Sequence, residues 1–330
     1  MKHLLFTILV FLLIGSLHAK PKVLATASMW ADMARHIGGD LIDVETIVPI
    51  GSDPHLYEPT PNDVRKVNEA DLIFINGFTF EGWLQKLINS SGTKAQSVII
   101  TGGIVPITNP HFKNSTDPHA WMDALHGIIY SEHITKALIS FDPEHAVIYQ
   151  SNFDSYKKEL EALHQYILDK INSIPEQQRI LITSHDAFHY FGNRYGLQVE
   201  SLIGTSTEAD VQTGDFMRVN QLIKDRKIPA IFIESTINPK LMEQISRENN
   251  ISIGGKLFAD SLGDEKSPAN TYINLLKNNA NTIADALSKN TIQSNLKTAE
   301  KESKTSMWFF LIPIALIALA LFVVIKKRSN

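Results

Sequence analysis

The sequence predicts an α/β fold built on parallel sheet, and three observations carry that prediction. Short apolar runs of strand type alternate with helical stretches through the first hundred residues. The same alternation returns after Arg179. Between the two blocks lies one long amphipathic stretch with no strand signal. Strands that read as apolar runs and are separated by helices are those of a sheet covered on both faces.

In the first block, Lys22 to Ser28 reads as a strand and Met29 to Ile37 as a helix stopped by Gly38-Gly39. Asp43 to Pro49 is the next strand, and Asn62 to Ala70 is a helix entered through Thr60-Pro61. Asp71 to Asn76 and Ser97 to Thr101 are strands flanking a helix over Glu81 to Ile88. The long stretch runs from Asp142-Pro143 to Ser173, with Tyr149, Phe153, Tyr156, Leu160, Leu163, Ile167 and Ile171 at helical spacing. At ~1.5 Å per residue it is long enough to run down a pair of domains, and its apolar stripe faces the core.

The second block predicts strands at Arg179 to Thr183, Gln198 to Ile203, Ala230 to Glu234 and Gly255 to Phe258. Its helices are Ala187 to Tyr195 stopped by Gly196, Val211 to Arg226, Pro239 to Glu248, and a last one capped by Ser267-Pro268 and ending near Leu287. The segments Ala25 to Asp32 and Leu181 to Phe188 fall at the same place in the two blocks, as in weak internal repeats.

Composition narrows the function. Lys and Arg number 31 against 35 Asp and Glu, a formal charge of −4 with no basic stripe, which gives nucleic-acid binding no support. None of the 330 residues is cysteine, so disulfides, zinc–thiolate sites and a lipid-modified cysteine are excluded. A basic start, a short apolar core and Ala19 form a secretory signal peptide over 1–19. Met307 to Ile325 is an uncharged apolar run followed by Lys326-Lys-Arg328, which reads as a transmembrane helix with a cytoplasmic tail over 326–330. The expected order is then an N-terminal α/β lobe (20–140), a connecting helix (141–175), a C-terminal lobe (176–289) and a flexible polar tether (290–306) before the span.

Four residues stand apart by their settings: His55 after a strand and a Gly-Ser-Asp-Pro turn, His119 in a loop before a helix, and His185 and Asp260 at the ends of strands. Ligands in α/β sheets bind outside the carboxyl ends of the strands. Three neutral imidazoles and a carboxylate can close a four-coordinate site around a borderline divalent ion. Glu234, ending another strand, competes as fourth ligand or as a supporting group. Asp53, Asp117, Asp123 and Asp186 are candidates to accept the second imidazole N–H. Glu58 is a candidate cap for the helix entered at Thr60-Pro61, and His189 makes a His-x-x-x-His pair with His185 that imitates a zinc-peptidase motif with Asp186 in place of the basic glutamate. His3, His18, His36, His111, His126, His133, His145 and His164 read as ordinary hydrogen-bonded histidines.

The segments Gly51 to Pro61, Ala70 to Gly77, Asp117 to Asp123, Ser184 to Phe191, Gly204 to Asp210 and Phe258 to Gly263 resemble, in order and spacing, the zinc/manganese-binding substrate-binding proteins of bacterial ABC transporters. The resemblance covers about residues 22–288. It implies two lobes of parallel sheet with flanking helices, joined by one long helix, with a metal site in the cleft. It carries the ligand role to His55, His119, His185 and Asp260. Histidine rather than glutamate at the third position, His185, leans towards Zn2+ over Mn2+ or Fe2+. The segment Pro106 to Thr116, short and holding only His111 where many zinc members carry a His-rich loop, leans the other way.

The expected function is therefore capture of a divalent metal ion outside the cytoplasm and its delivery to an ABC permease and ATPase. The protein would be tethered to the membrane by its C-terminal helix. Catalysis is not expected, since four protein ligands leave no open position for water. Two alternatives remain beside it: an exported zinc hydrolase with Glu234 or Asp260 as base, and a surface adhesin stabilised by metal.

Overall fold

The computed structural model describes residues 19–108, 116–205, 207 and 211–288. The signal-peptide residues 1–18, the tether, the apolar run 307–325, His3, His18 and His111 lie outside the described residues. Among the described residues, no helix is long and apolar enough to cross a membrane.

The first half forms one parallel sheet from β1 (Lys22–Ala25), β2 (Asp43–Thr46), β3 (Leu72–Ile75) and β4 (Gln96–Ile99), in the order β2-β1-β3-β4. Val23 pairs with Val44 on one side and Leu72 on the other. Helices α1 (Ser28–Gly38), α2 (Pro61–Glu69) and α3 (Leu84–Ser91) connect the strands. Helix α1 ends where Gly39 takes φ +53, a conformation that glycine adopts without a Cβ penalty. Helices α4 (Ala124–Phe141) and α5 (Ala146–Asn172) follow as an antiparallel pair. Pro143 opens a short 3-10 turn, and the α-helix proper begins three residues after it.

The second half pairs β5 (Ile180–Thr183) with β6 (Gln198–Ser201), and β7 (Ala230–Glu234) with β8 (Ser252–Leu257), all parallel, with β5 packed beside β7. Helices α6 (His189–Tyr195), α7 (Thr213–Arg226) and α8 (Lys240–Asn249) connect them. Strand β8 starts earlier than Gly255, because Gly254 and Gly255 form a bulge opposite Phe232 instead of breaking the strand. A Cβ on Gly254 would lie 2.7 Å from Ala286, so the glycine lets the last helix approach. That helix, α9, is described over 272–288 and begins later than expected. Ser267 and Pro268 lie in a preceding turn, and Thr271 caps the helix by accepting the Asn274 N–H at 3.1 Å.

The alternation of strand side chains divides the interior into layers. Val23, Ala25, Leu72 and Phe74 face a central core, whereas Leu24 and Ile73 face an outer one under α2 and α3. In the second half Leu181, Ala230 and Phe232 join the same central core, and Ile180, Ile182 and Ile231 face an outer core under α7 and α8. The central core therefore runs through both halves. Its spine is α5, whose buried residues are Tyr149, Phe153, Tyr156, Leu160, Leu163, Ile167 and Ile171. Its 27 residues at ~1.5 Å rise give a rod of ~40 Å that joins the lobes. Each aliphatic side chain it buries contributes roughly 1.5–3 kcal/mol.

Helix α2 is capped by Asp63, whose Oδ2 accepts the Thr60 N–H (2.8 Å), the Thr60 hydroxyl (2.7 Å) and the Tyr57 hydroxyl (2.8 Å). Glu58, the expected cap, is exposed instead. Burial alone would raise the Asp63 pKa, but these hydrogen bonds and Lys66 outweigh it and hold the carboxyl below its usual 3.8. A folded pKa below the unfolded one stabilises the fold above about pH 4 and loses that stability as pH falls through the folded value. Asp63→Asn should cost about 1 kcal/mol at pH 7 and flatten the loss of stability below pH 4; urea unfolding of both proteins across this range measures it.

Candidate metal site

Four loops at the carboxyl ends of the strands meet in the cleft between the halves. The loop after β2 carries His55, and hydrogen bonds brace it beside that residue: Asp53 Oδ1 accepts the His55 N–H (2.9 Å), and the Trp83 indole donates to Pro54 O (2.8 Å). The His55 ring packs edge-on against Phe80, with centroids 4.9 Å apart. His119 precedes a 3-10 turn, Ala120–Met122. Asp117 Oδ1 accepts the His119 backbone N–H (2.9 Å) and contacts its Nδ1 (2.7 Å), and Asn76 Nδ2 donates to Pro118 O (2.9 Å). His185 lies two residues beyond β5. Glu234, the last residue of β7, accepts its backbone N–H through Oε1 (2.9 Å) and sets Oε2 2.6 Å from its Nδ1.

Asp260 follows β8, but the first half holds its loop. The Trp121 indole donates to Ala259 O (2.9 Å), Ser28 Oγ accepts the Leu262 N–H (2.9 Å), and Ser261 Oγ accepts the Gly51 N–H (2.7 Å). His119, His185 and Asp260 are fully buried.

The three imidazoles turn their Nε2 atoms inward. His119 Nε2 lies 3.3 Å from His55 Nε2 and 3.3 Å from His185 Nε2. Asp260 sets Oδ1 3.4 Å from His119 Nε2, and Oδ2 3.2 Å from His185 Nε2 and 4.0 Å from His55 Nε2. One donor atom from each residue lies within 4.8 Å of all the others. An ion held at ~2.0–2.1 Å by four tetrahedral ligands needs ligand edges of about 3.3 Å. The observed spacing could hold such an ion.

Burial and the neighbouring carboxylates set the charges of the four groups. Burial, with His119 and His185 adding to it against Asp260, pushes the His55 pKa down to about 3 and keeps that ring neutral. Burial also acts to lower His119, but hydrogen bonds and charge from Asp117 and Asp260 win and hold it at about 9. Glu234 and Asp260 overcome burial at His185 and raise it too. Burial would raise Asp260, and His185 and His119 instead hold it well below the usual carboxylate range. Both Asp260 oxygens and Asp117 Oδ2 are buried without a well-formed hydrogen bond. Buried carboxylates in that state call for a positive partner.

Of the supporting residues weighed in the sequence, Asp117 takes the Nδ1 role for His119, and Glu234 takes it for His185. Glu234 thus sits behind the His185 ring and is not among the four converging donors. Asp53 braces the His55 backbone and accepts the Thr207 hydroxyl at 2.7 Å. Asp123 caps α4 through the Leu125 N–H and pairs with Arg194. Asp186 and His189 pair with each other at 2.8 Å, which takes His189 out of any shared site with His185. The remaining described histidines have hydrogen-bond partners away from the four donors, such as Gly102 O for His133 and Asp142 for His145. Asn76, Trp121, Ser28 and Ser261 went unread in the sequence as supports; a buried polar residue at a strand end or helix start is the only signal they offer.

The family model described as ZnuA, zinc-uptake complex component A, periplasmic, matches residues 23–286. The metal ABC transporter substrate-binding lipoprotein SsaB of Streptococcus sanguinis is 35% identical over 279 residues, covering 82% of this chain and 90% of that protein. The iron-binding protein YfeA of Yersinia pestis is 38% identical over 267 residues, covering 80% of this chain and 86% of that protein. Among solved structures, the periplasmic zinc-binding protein TroA from Treponema pallidum is similar with a TM-score of 0.78 at 30% identity, covering 82% of this chain and all of that one.

Trp121→Phe removes the indole bond to Ala259 O while keeping most of the ring volume. It should destabilise the fold by about 1–2 kcal/mol, read as a lower urea midpoint at unchanged m-value.

Proposed function

The chain belongs to the family of periplasmic zinc-uptake complex component A proteins, and from that premise we propose that His55, His119, His185 and Asp260 bind the ion it carries. The observation that carries this reading is that one donor atom from each of the four residues lies within 4.8 Å of all the others, a grouping that one divalent ion could draw together. Asp117 and Glu234 fix the rings so that Nε2 faces the ion. The cargo is Zn2+ in preference to Mn2+ or Fe2+, since a site of three nitrogens and one carboxylate binds zinc more strongly along the divalent series. Relatives named for manganese and for iron make availability the other determinant.

The protein works outside the cytoplasm and passes the ion to an ABC permease and its ATPase. Residues 20–140 and 176–289 act as the two lobes and 141–175 as the spacer between them. Transport, not catalysis, is the role: the four donors fill the coordination shell, and Glu234, the candidate base of a hydrolase, is engaged on His185. The continuous core argues against a fold that needs metal to form. Relatives described as lipoproteins hold the membrane by lipid. This sequence contains no cysteine, and the apolar run 307–325 with its basic flank takes over that task.

Metal-stripped protein titrated calorimetrically with Zn2+, Mn2+ and Fe2+ should show one tight site and should keep its far-UV circular dichroism without metal. Asp117→Ala should weaken that site about 10–100-fold, and His185→Ala and Asp260→Ala should weaken it more. Affinity should also fall as pH falls, because protons compete for the same imidazole nitrogens. No tight site, or full affinity in His185→Ala, would overturn the ligand assignment. In cell fractionation the full chain should stay with membranes, and a chain ended before Met307 should be released; equal release of both would overturn the anchor.

A further inference from the structure

An ion between the four donors is enclosed by three fully buried side chains, His119, His185 and Asp260, and by His55, whose side chain keeps 5% of its exposure. The way out therefore passes the loop that carries His55. Packing holds that loop weakly on its outer side, for Ile50 and Leu56 are each about half exposed. Polar contacts must hold it, and one of them crosses to the opposite ligand loop: the Gly51 N–H donates to Ser261 Oγ at 2.7 Å, between residues 210 positions apart. Gly51 adopts φ +84, which a residue with a Cβ rarely takes. The Ser261 hydroxyl is 2% exposed as a residue and donates its own hydrogen to Leu262 O at 2.9 Å, so its lone pairs face Gly51. Leu262 is in turn held by Ser28 at the start of α1. The acceptor is thus oriented by Leu262 and braced through it by α1.

We propose that Ser261 is a positioning residue for metal retention: its hydroxyl clasps the His55 loop to the Asp260 loop and sets the rate at which the ion leaves. This rests on the metal-binding reading above. The clasp touches no donor atom, so it acts on the lifetime of the closed site and not on the ligand set.

The test is release of Zn2+ from the full chain into excess chelator, followed by stopped flow, with the Co2+ ligand-field spectrum as a report on the ligands. Ser261→Ala should release the ion roughly three- to tenfold faster, the range expected for one lost hydrogen bond, with the Co2+ spectrum and the association rate unchanged. Ser261→Thr, which keeps the hydroxyl, should restore the slow rate. An unchanged release rate in Ser261→Ala, or a changed Co2+ spectrum, would overturn the clasp. Should Ser261→Ala fail to fold, hydrogen exchange on the wild type decides: the Gly51 amide must be protected in the metal-loaded protein, and exchange at the rate of an open amide overturns the proposal. A wild type that binds no metal would instead refute the reading on which the clasp rests.

Discussion

Placing three carboxylates behind and beside three buried imidazoles is the constraint on which the rest of this structure depends. Asp117, Glu234 and Asp260 are each almost wholly removed from water, and a buried carboxylate without a partner is costly. Asp117 and Glu234 meet this by pairing with the Nδ1 side of His119 and His185 and with their backbone amides. Asp260 has only the inward Nε2 atoms to face. The buried carboxylates thus surround the four converging donors with negative charge that a divalent cation would offset.

Such a site survives only if the four loops cannot drift apart, and the core supplies that. Helix α5 carries one apolar stripe, and strands from both halves turn alternate side chains towards the same central core. Two lobes glued along a ~40 Å rod are poorly suited to a wide hinge motion. What is left to move is local: loops whose hold is polar and whose outer residues are exposed.

The loop of Asp260 shows how far sequence order and mechanics can part. It follows β8, yet Trp121, Ser28 and Gly51 from the first half hold it. Asp260 is thus positioned by residues more than a hundred positions away. Ser261 joins it to the loop of His55 on the exposed side of the site, where little packing helps.

Much of this was legible in the chain itself. The seven residues of the α5 stripe recur at helical spacing and are the seven buried ones, because a helix against a continuous core must repeat its apolar positions. His55, His119, His185 and Asp260 were marked by their turns and strand ends, since the backbone at the mouth of a parallel sheet is where side chains converge. What the sequence left open was which carboxylate serves which ring. Glu234 competed as a ligand, Asp53, Asp117, Asp123 and Asp186 were equal as supports, and Glu58 stood as the cap that Asp63 turned out to be. The element starts expected at Gly255 and at Ser267-Pro268 went the same way, because a bulge and a turn depend on what packs against them. Local pattern determined the elements and the four residues that converge. Only the tertiary structure decided their partners, because a hydrogen bond between loops is a matter of relative position, and spacing along the chain does not encode it.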